Sequence, residues 1–194
     1  LGVFAMTISA HNVGGPVGVG ALILKKGVDI TPVLHGGGQE RDIRSGTLNA
    51  AGIVSFVAAT QSALRDLEST QERVKQLRKK LIEVIREEIP DARLNGAEHG
   101  AILPGIANIS FPDTESDALL VLFDAEGIAC STGSACSAGV QEASHVLMAM
   151  GLSQKEARSS LRFSVGTSNT DSDIEYLRTC IKRVIDRARA AYRV

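Results

Sequence analysis

The chain has 194 residues, of which 44% are hydrophobic, and its formal net charge is -1 at pH 7. It can bury a core, and its charge gives no sign of a nucleic-acid or acidic-substrate partner. No stretch approaches the roughly 20 apolar residues of a membrane span, and residues 1–9 hold neither a basic segment nor a cleavage signal, so we expect no membrane partner and a cytoplasmic location.

The cysteine pattern favours free thiols. The three cysteines, Cys130, Cys136 and Cys180, are an odd number without paired spacing, which is typical of a reducing compartment rather than of a disulfide framework. No CxxC pair or Cys/His cluster is present, so no metal site is expected.

The first motif follows a short apolar run over residues 3–8, which predicts a buried strand. Ser9, His11 and Asn12 come next, before the Gly-rich turn Gly14–Pro16. A hydroxyl, an imidazole and such a turn at a strand end are typical of places where α/β enzymes bind anionic ligands. Because the chain enters this strand without an initiator Met or a cap, we expect either that the sequence is a fragment or that an upstream partner segment is missing.

Two further strand candidates follow, over residues 21–24 and 28–34, the second interrupted by Pro32. Residues 35–47 contain four glycines and two arginines without hydrophobic periodicity, which predicts a loop. From about Asn49 to Ile89, apolar residues recur at spacings of three and four, so we predict an amphipathic helix, either long or in two pieces, that ends before Pro90.

The remaining elements alternate between strands and helices. Residues 106–111 read as a strand bounded by Gly105 and Pro112. Helix starts with capping-box spacing are predicted at three places: Thr114–Asp117, Ser153–Glu156 and Thr170–Asp173. Gly127 is expected to end the first of these helices. This pattern predicts that residues 49–194 form an α+β domain and that residues 1–48 are the end of another domain.

The segment over residues 128–139 consists mostly of small residues without a helical or strand period, which predicts a mobile loop. A lone cysteine in an apolar setting is usually a small buried residue. Cys136 is instead surrounded by Gly, Ser and Ala, so we interpret it as exposed and reactive. Cys130 directly follows Ile128 and Ala129, and we interpret it as a buried residue at a strand end.

Four segments resemble motifs of the NifS/IscS-type cysteine desulfurases, which are pyridoxal-phosphate (PLP) enzymes of the class-V aminotransferase family. These segments keep the family's order over nearly the whole chain: Ser9–Asn12, His35–Thr47, Gly133–Cys136 and Ser160–Ser164. Two shorter segments, Asn108–Phe111 and Ser144–Leu147, also fit.

The resemblance implies the C-terminal half of an α/β enzyme with the PLP-dependent transferase fold type I. Residues 1–48 would be the C-terminal end of the large PLP-binding domain, and residues 49–194 the small α+β domain with the active-site cysteine loop. The implied reaction removes sulfur from L-cysteine, giving L-alanine and a persulfide on Cys136. The sulfur would pass to acceptor or scaffold proteins of iron–sulfur cluster assembly, and the intact protein would be a homodimer.

The resemblance also implies roles for the other site residues. Ser9 and His11 would contact PLP, Thr47 would reach the PLP phosphate of the neighbouring subunit, and Arg162 would bind the substrate carboxylate. A phosphate suits hydroxyls in Gly-rich settings, and a carboxylate suits the planar fork of an arginine. From the residues alone, the simpler interpretations are favoured: Arg162 as a polar residue at a strand edge, His11 as a structural histidine and Thr47 as a turn residue.

Asn12 departs from the family pattern, because the desulfurases read Ser-x-His-Lys there. An amide nitrogen is not nucleophilic, since its lone pair is delocalised into the carbonyl, so Asn12 cannot form the lysine's Schiff base with PLP. The family's PLP-stacking histidine and pyridine-pairing aspartate also have no counterpart here. The alternatives are therefore a related PLP lyase such as a selenocysteine lyase, an inactive desulfurase-like protein that docks sulfur-transfer partners, or an altered residue 12.

Overall fold

A computed structural model describes residues 2–97, 100, 102–132 and 143–192 of the chain. The chain forms two compact units, Leu1–Leu67 and Glu68–Val194. The assignment of residues 1–48 to a cofactor domain and of residues 49–194 to a small domain stays a prediction.

The first unit begins with an antiparallel pair of strands, β1 (Ala5–Ser9) and β2 (Gly20–Leu24), in which Ser9 lies opposite Gly20. Both strands were predicted and are confirmed. The side chains of β1 are largely exposed, so the prediction that this strand is buried is wrong for the unit as described. The physical reason is that a two-stranded sheet has no neighbouring strands to bury it on either side, and few residues of this unit are buried.

The predicted strand over residues 28–34 is wrong. Among these residues only Leu34 pairs, in an isolated bridge with Arg44. Pro32 has no N–H to donate to a strand ladder, which accounts for the irregular backbone. The loop predicted for residues 35–47 is confirmed.

The predicted helical segment forms two helices, α1 (Ala50–Arg65) and α2 (Leu67–Glu88), with a break at Asp66. Asn49 caps α1, because its side chain accepts a hydrogen bond from the Gly52 N–H at 3.0 Å.

The second unit contains an antiparallel sheet of three strands in the order β3-β4-β5. Its helices include α2 from Glu68 onward. Its strands are β3 (Arg93–Asn95), β4 (Ile106–Ser110) and β5 (Ser160–Ser164). Its other helices are α3 (Ser116–Ala125), α4 (His145–Ala149), α5 (Gln154–Arg158) and α6 (Asp171–Tyr192).

One face of this sheet is apolar and joins α2, α3 and α6 in a single hydrophobic core. Alternate residues of a strand point to opposite faces, so Leu161 and Phe163 are buried while Arg162 between them is exposed. The Phe163 ring makes edge contacts with Phe111, at 6.3 Å between centroids, and with Phe123, at 5.6 Å. This packing fixes the face of β5 on which Arg162 lies.

Two of the predicted helix signals are confirmed in full. Ser153 and Glu156 form a capping box at the start of α5, and Gly127 follows the end of α3 with a left-handed φ of 72°.

The capping box predicted at Thr114–Asp117 is wrong. Helix α3 begins at Ser116 after Glu115, with no side-chain cap, and the buried Thr114 hydroxyl donates instead to the Phe111 carbonyl at 2.7 Å. A buried hydroxyl needs a hydrogen-bond partner, and the Phe111 carbonyl supplies it. At α6 the Asp173 carboxylate accepts from the Thr170 N–H at 2.9 Å, which is one half of the predicted box.

Within the described part of the chain, no helix combines the length and the apolar character needed to cross a bilayer. The described residues also contain no group of three or more His, Cys, Asp or Glu side chains that could hold a metal ion.

Candidate active site

The turn after β1 presents three of the sequence-predicted residues together. Ser9 ends the strand in an extended conformation, and a 3-10 helix follows over Ala10–Val13. Ala10 is fully buried, and its N–H and C=O bond to the Val19 carbonyl at 3.0 Å and the Gly15 N–H at 2.8 Å. The buried Ala10 thus anchors the turn, while the neighbouring His11 and Asn12 side chains are exposed.

Glycine is favoured at position 15 of this turn. A Cβ there would lie 3.0 Å from both the oxygen and the Cβ of Ala10, which is tighter than ordinary contacts. The side chains of Ser9, His11 and Asn12 have no hydrogen-bond partner among the residues that the structure describes. A hydroxyl, an imidazole and an amide are therefore available to a ligand at this turn.

The loop before α1 is held by its own side chains. The Ser45 hydroxyl is buried and accepts from the Gly38 N–H at 3.3 Å, and the Gln39 side-chain oxygen accepts from the Gly46 N–H at 2.9 Å. These bonds close the loop across seven residues in each case.

Three consecutive residues of this loop, 40–42, have left-handed φ angles of 48°, 59° and 62°. Such a conformation is uncommon outside glycine and costs on the order of 1–2 kcal/mol for each residue. Thr47 follows this turn and is exposed. It makes no hydrogen bond to Ser9, His11 or Asn12 within the described chain, so the structure does not join it to the other predicted cofactor residues.

Arg162 lies in the second unit, at the centre of β5, with an exposed side chain. Among the described residues, no carboxylate or other group is paired with its guanidinium. Its backbone bonds to Ser131: the Ser131 N–H donates to the Arg162 carbonyl at 3.1 Å, and the Arg162 N–H donates to the Ser131 carbonyl at 2.7 Å. A free guanidinium on an ordered strand is suited to a carboxylate ligand.

The prediction for Cys136 falls on residues 133–142, which lie outside the described residues. In the sequence, Gly133 directly follows Thr132 and comes two positions after Ser131, which pairs with Arg162.

Cys130 and Cys180 are free thiols, as predicted. Cys130 is half-buried against the core, and burial, followed by the negative charge of Asp124, raises its pKa to about 11. Cys180 is buried in α6, and burial is also the main reason that its pKa is raised. Neither thiol is activated as a nucleophile, which agrees with the interpretation of Cys130 as a structural residue.

Sequence reasoning did not identify a polar network on the other face of the sheet. The Asn95 side-chain amide donates to Asn108 Oδ1 at 2.7 Å and to Ser110 Oγ at 2.8 Å. The signal in the sequence is the period-two alternation of Asn108 and Ser110 with apolar neighbours, which indicates a polar sheet face beside Arg162.

Comparison with known proteins decides the family. The family model described as aminotransferase class-V matches residues 1–177. The chain belongs to the class-V aminotransferase family. This confirms the resemblance seen in the motifs.

The relatives of this class-V chain include proteins named as cysteine desulfurases. It is 47% identical over 190 residues to an IscS-like cysteine desulfurase of Mycobacterium tuberculosis, covering 98% of the chain and 48% of the relative. It is 42% identical over 185 residues to the cysteine desulfurase IscS of Clostridium botulinum, covering 95% and 47%. The chain spans about half the length of the curated relatives it matches.

Solved structures agree on the fold. A NifS-like protein from Rickettsia africae matches with a TM-score of 0.83 at 34% identity, covering 95% of this chain and 48% of that one. A second NifS-like protein matches with a TM-score of 0.82 at 33% identity, covering 96% and 47%. The α/β fold class expected from the resemblance is confirmed.

Proposed function

We propose that this chain is the C-terminal, cysteine-bearing part of a PLP-dependent cysteine desulfurase. Its substrate is L-cysteine, its products are L-alanine and a persulfide on Cys136, and the sulfur passes to acceptor or scaffold proteins for iron–sulfur cluster assembly. The names of the relatives support this activity.

The observation that carries the proposal is the pairing of Ser131 with Arg162. It ties Ser131, two residues before Gly133, to the strand that carries Arg162, whose guanidinium has no partner among the described residues. By binding the substrate carboxylate, Arg162 would hold an amino acid near Ser131, which precedes the cysteine segment in the chain. Holding a reactant next to a nucleophile replaces an encounter in solution by a local step.

The donors around the turn after β1 fit the phosphate of PLP, since Ser9 and His11 offer a hydroxyl and an imidazole that have no partner among the described residues, in a Gly-rich setting. Thr47 of a second copy would add another hydroxyl, which makes the functional protein a homodimer. When bound, PLP supplies an electron sink that weakens bonds at the substrate carbons. The fit is incomplete, because Asn12 offers an amide where covalent attachment requires an amine.

The residue that accepts sulfur is Cys136. Its thiolate attacks the sulfur of L-cysteine, an S–S bond forms, and the C–S bond breaks with its electron pair left on the substrate carbon. That carbon takes up a proton and becomes the methyl group of L-alanine. The free thiols of Cys130 and Cys180 support a reducing, cytoplasmic compartment for this chemistry.

The proposal is tested with a chimera in which this chain replaces the matching part of the M. tuberculosis relative, with Asn12→Lys. After addition of PLP and L-cysteine, mass spectrometry of the peptides should find one added sulfur atom on Cys136. Cys136→Ser should abolish it while PLP stays bound, and Cys130→Ser, the matched control, should leave it unchanged. Sulfur on Cys130 or Cys180, with Cys136 dispensable, would contradict the assignment.

A second function is favoured by Asn12. A desulfurase-like protein without the lysine would keep the fold and act by docking sulfur-transfer partners. If the protein has this docking function, Asn12→Lys in the chimera should gain no PLP adduct although the fold is intact. If it is a desulfurase, the same variant should gain one.

A further inference from the structure

The polar face of the three-stranded sheet carries two neighbouring rows of side chains, one of which includes Arg162. In the strand register, Asn95 of β3 lies opposite Asn108 of β4, and Asn108 lies opposite Arg162 of β5. The next row on the same face is Arg93, Ser110 and Ser160.

The donor and the acceptor of each hydrogen bond between the side chains of this face can be assigned, starting from the Glu156 carbonyl. The Ser160 hydroxyl donates its only proton to the Glu156 carbonyl at 2.7 Å. Ser110 Oγ lies 2.7 Å from Ser160 Oγ and 3.4 Å from the Glu156 carbonyl, and since Ser160 makes the shorter bond to that carbonyl, Ser110 donates to Ser160. Both hydroxyls have then used their protons and can only accept from Asn95, whose Nδ2 lies 2.8 Å from Ser110 Oγ and 3.2 Å from Ser160 Oγ.

This assignment of donors determines the orientation of the Asn95 and Asn108 side-chain amides. Asn95 must turn its NH2 group to the serines, and its second N–H is donated to Asn108 Oδ1 at 2.7 Å. Rotating the Asn108 amide by half a turn would place two NH2 groups against each other, which loses the bond. The Asn108 oxygen is therefore held by Asn95, and the Asn108 NH2 group has no acceptor among the described residues.

The free NH2 group and the Arg162 guanidinium share one face. Directly opposite residues of an antiparallel pair have Cβ atoms about 4.5–5.5 Å apart. An amide NH2 and a guanidinium are both donors, so they cannot bond to each other. A carboxylate has about four acceptor positions, of which an arginine fork uses two, so it can accept from both groups at once.

We propose that Asn108 donates a hydrogen bond to the carboxylate of the amino-acid substrate beside Arg162, and that Asn95 orients it. This inference rests on the proposed function, which supplies the class of ligand. Asn108 is thereby a substrate-binding residue, and Asn95 is a positioning residue that acts through it.

The test uses the 194-residue chain and L-alanine, which carries the carboxylate but no sulfur. Titrations are followed by 15N NMR of the Asn side-chain amides. The variants are Asn108→Ala, Asn108→Asp and Arg162→Gln, with Ser164→Ala as the matched control, since Ser164 lies on the same face outside the network. Ethylamine, which is alanine without its carboxylate, is the control ligand.

We expect L-alanine, and not ethylamine, to shift the Asn108 side-chain resonances. Asn108→Ala should weaken L-alanine binding roughly tenfold or more, as for a lost hydrogen bond to a charged group. Asn108→Asp should weaken binding further, because it keeps the oxygen that Asn95 needs but places a negative charge beside the ligand. Its unfolding temperature should be no lower than that of the unmodified chain, which separates substrate binding from a structural role.

Two outcomes would overturn the inference. If Arg162→Gln abolishes L-alanine binding while both Asn108 variants bind normally, Asn108 is not a donor, and the proposed role of Arg162 stands. If the unmodified chain binds L-alanine no better than ethylamine, the Asn108 inference and the carboxylate role of Arg162 both fail.

Discussion

Ser131 and Arg162 are joined by two reciprocal backbone hydrogen bonds, of 3.1 and 2.7 Å. This bridge lies on the edge of β5 that β4 does not occupy, since β5 is the last strand of the sheet. Because Phe163 packs β5 into the core, the bridge ties Ser131, two residues before Gly133, to a strand that is anchored in the core. The described backbone that precedes the cysteine segment is thus paired with the strand that carries the candidate carboxylate ligand.

The first prediction concerns Arg162. In the chimera with Asn12→Lys, Arg162→Lys should raise KM for L-cysteine by roughly tenfold to a hundredfold, because a two-point contact with the carboxylate becomes a single contact worth about 1.5–3 kcal/mol less. Steady-state kinetics give KM, and absorbance gives the PLP content, which should not change. Loss of PLP with an unaltered KM would mean that Arg162 serves the cofactor instead.

The second prediction concerns the reactivity of Cys130. Its pKa of about 11, against an ordinary value of 9.0, leaves about a hundredfold less thiolate at neutral pH. Alkylation of Cys130 by iodoacetamide should therefore be slow, and it should rise about tenfold for each pH unit until the pH passes 11. Peptide mass spectrometry at a series of pH values measures these rates.

Asp124→Asn is the informative variant for this measurement. Removing the negative charge should lower the Cys130 pKa and speed alkylation, although burial remains the larger cause. If Cys130 in the unmodified chain reacted at neutral pH as fast as free cysteine, the buried environment described for it would be wrong.

The third prediction concerns the support of β5. Phe163→Ala should destabilise the second unit by about 3–5 kcal/mol, because it removes a ring that contacts both Phe111 and Phe123 in the core. Urea unfolding measures the loss. Val121→Ala is the control, since Val121 is 68% exposed and should cost within about 0.5 kcal/mol. Similar losses for the two variants would contradict the assigned core.

The fold elements that sequence predicts well are those whose signal is local. The period of apolar residues gives α1, α2 and α6, and the Ser153–Glu156 spacing gives a capping box that is present. The errors also have local causes. Pro32 prevents the expected strand, and the Thr114 hydroxyl bonds within its own turn instead of capping α3.

The site shows a different limit. Ser9, His11, Thr47 and Arg162 come from a resemblance between motifs, and the structure adds that Ser9, His11 and Arg162 have unpaired polar groups within the described chain. The Asn95 and Asn108 amides could not be placed from sequence, because these residues are 13 positions apart and their pairing depends on the register of β3 and β4. Hydrogen-bond direction is a property of the assembled sheet and has no local signal.

The last prediction concerns Asn12, on which activity depends. With Asn12, the chain can hold PLP only through noncovalent contacts such as those of Ser9 and His11, so borohydride should trap no adduct and alanine release from L-cysteine should be negligible. An amide also lacks a basic lone pair, so Asn12 cannot move the proton of the substrate α-carbon.

Asn12→Lys in the chimera should restore both functions at once, because a single amine provides the covalent attachment and the base. Borohydride reduction followed by peptide mapping should place PLP on residue 12, and amino-acid analysis should detect alanine. Asn12→Gln is the matched control, since it lengthens the side chain without an amine and should restore neither. If the lysine variant folds but binds no PLP, the catalytic proposal is wrong and the docking function replaces it.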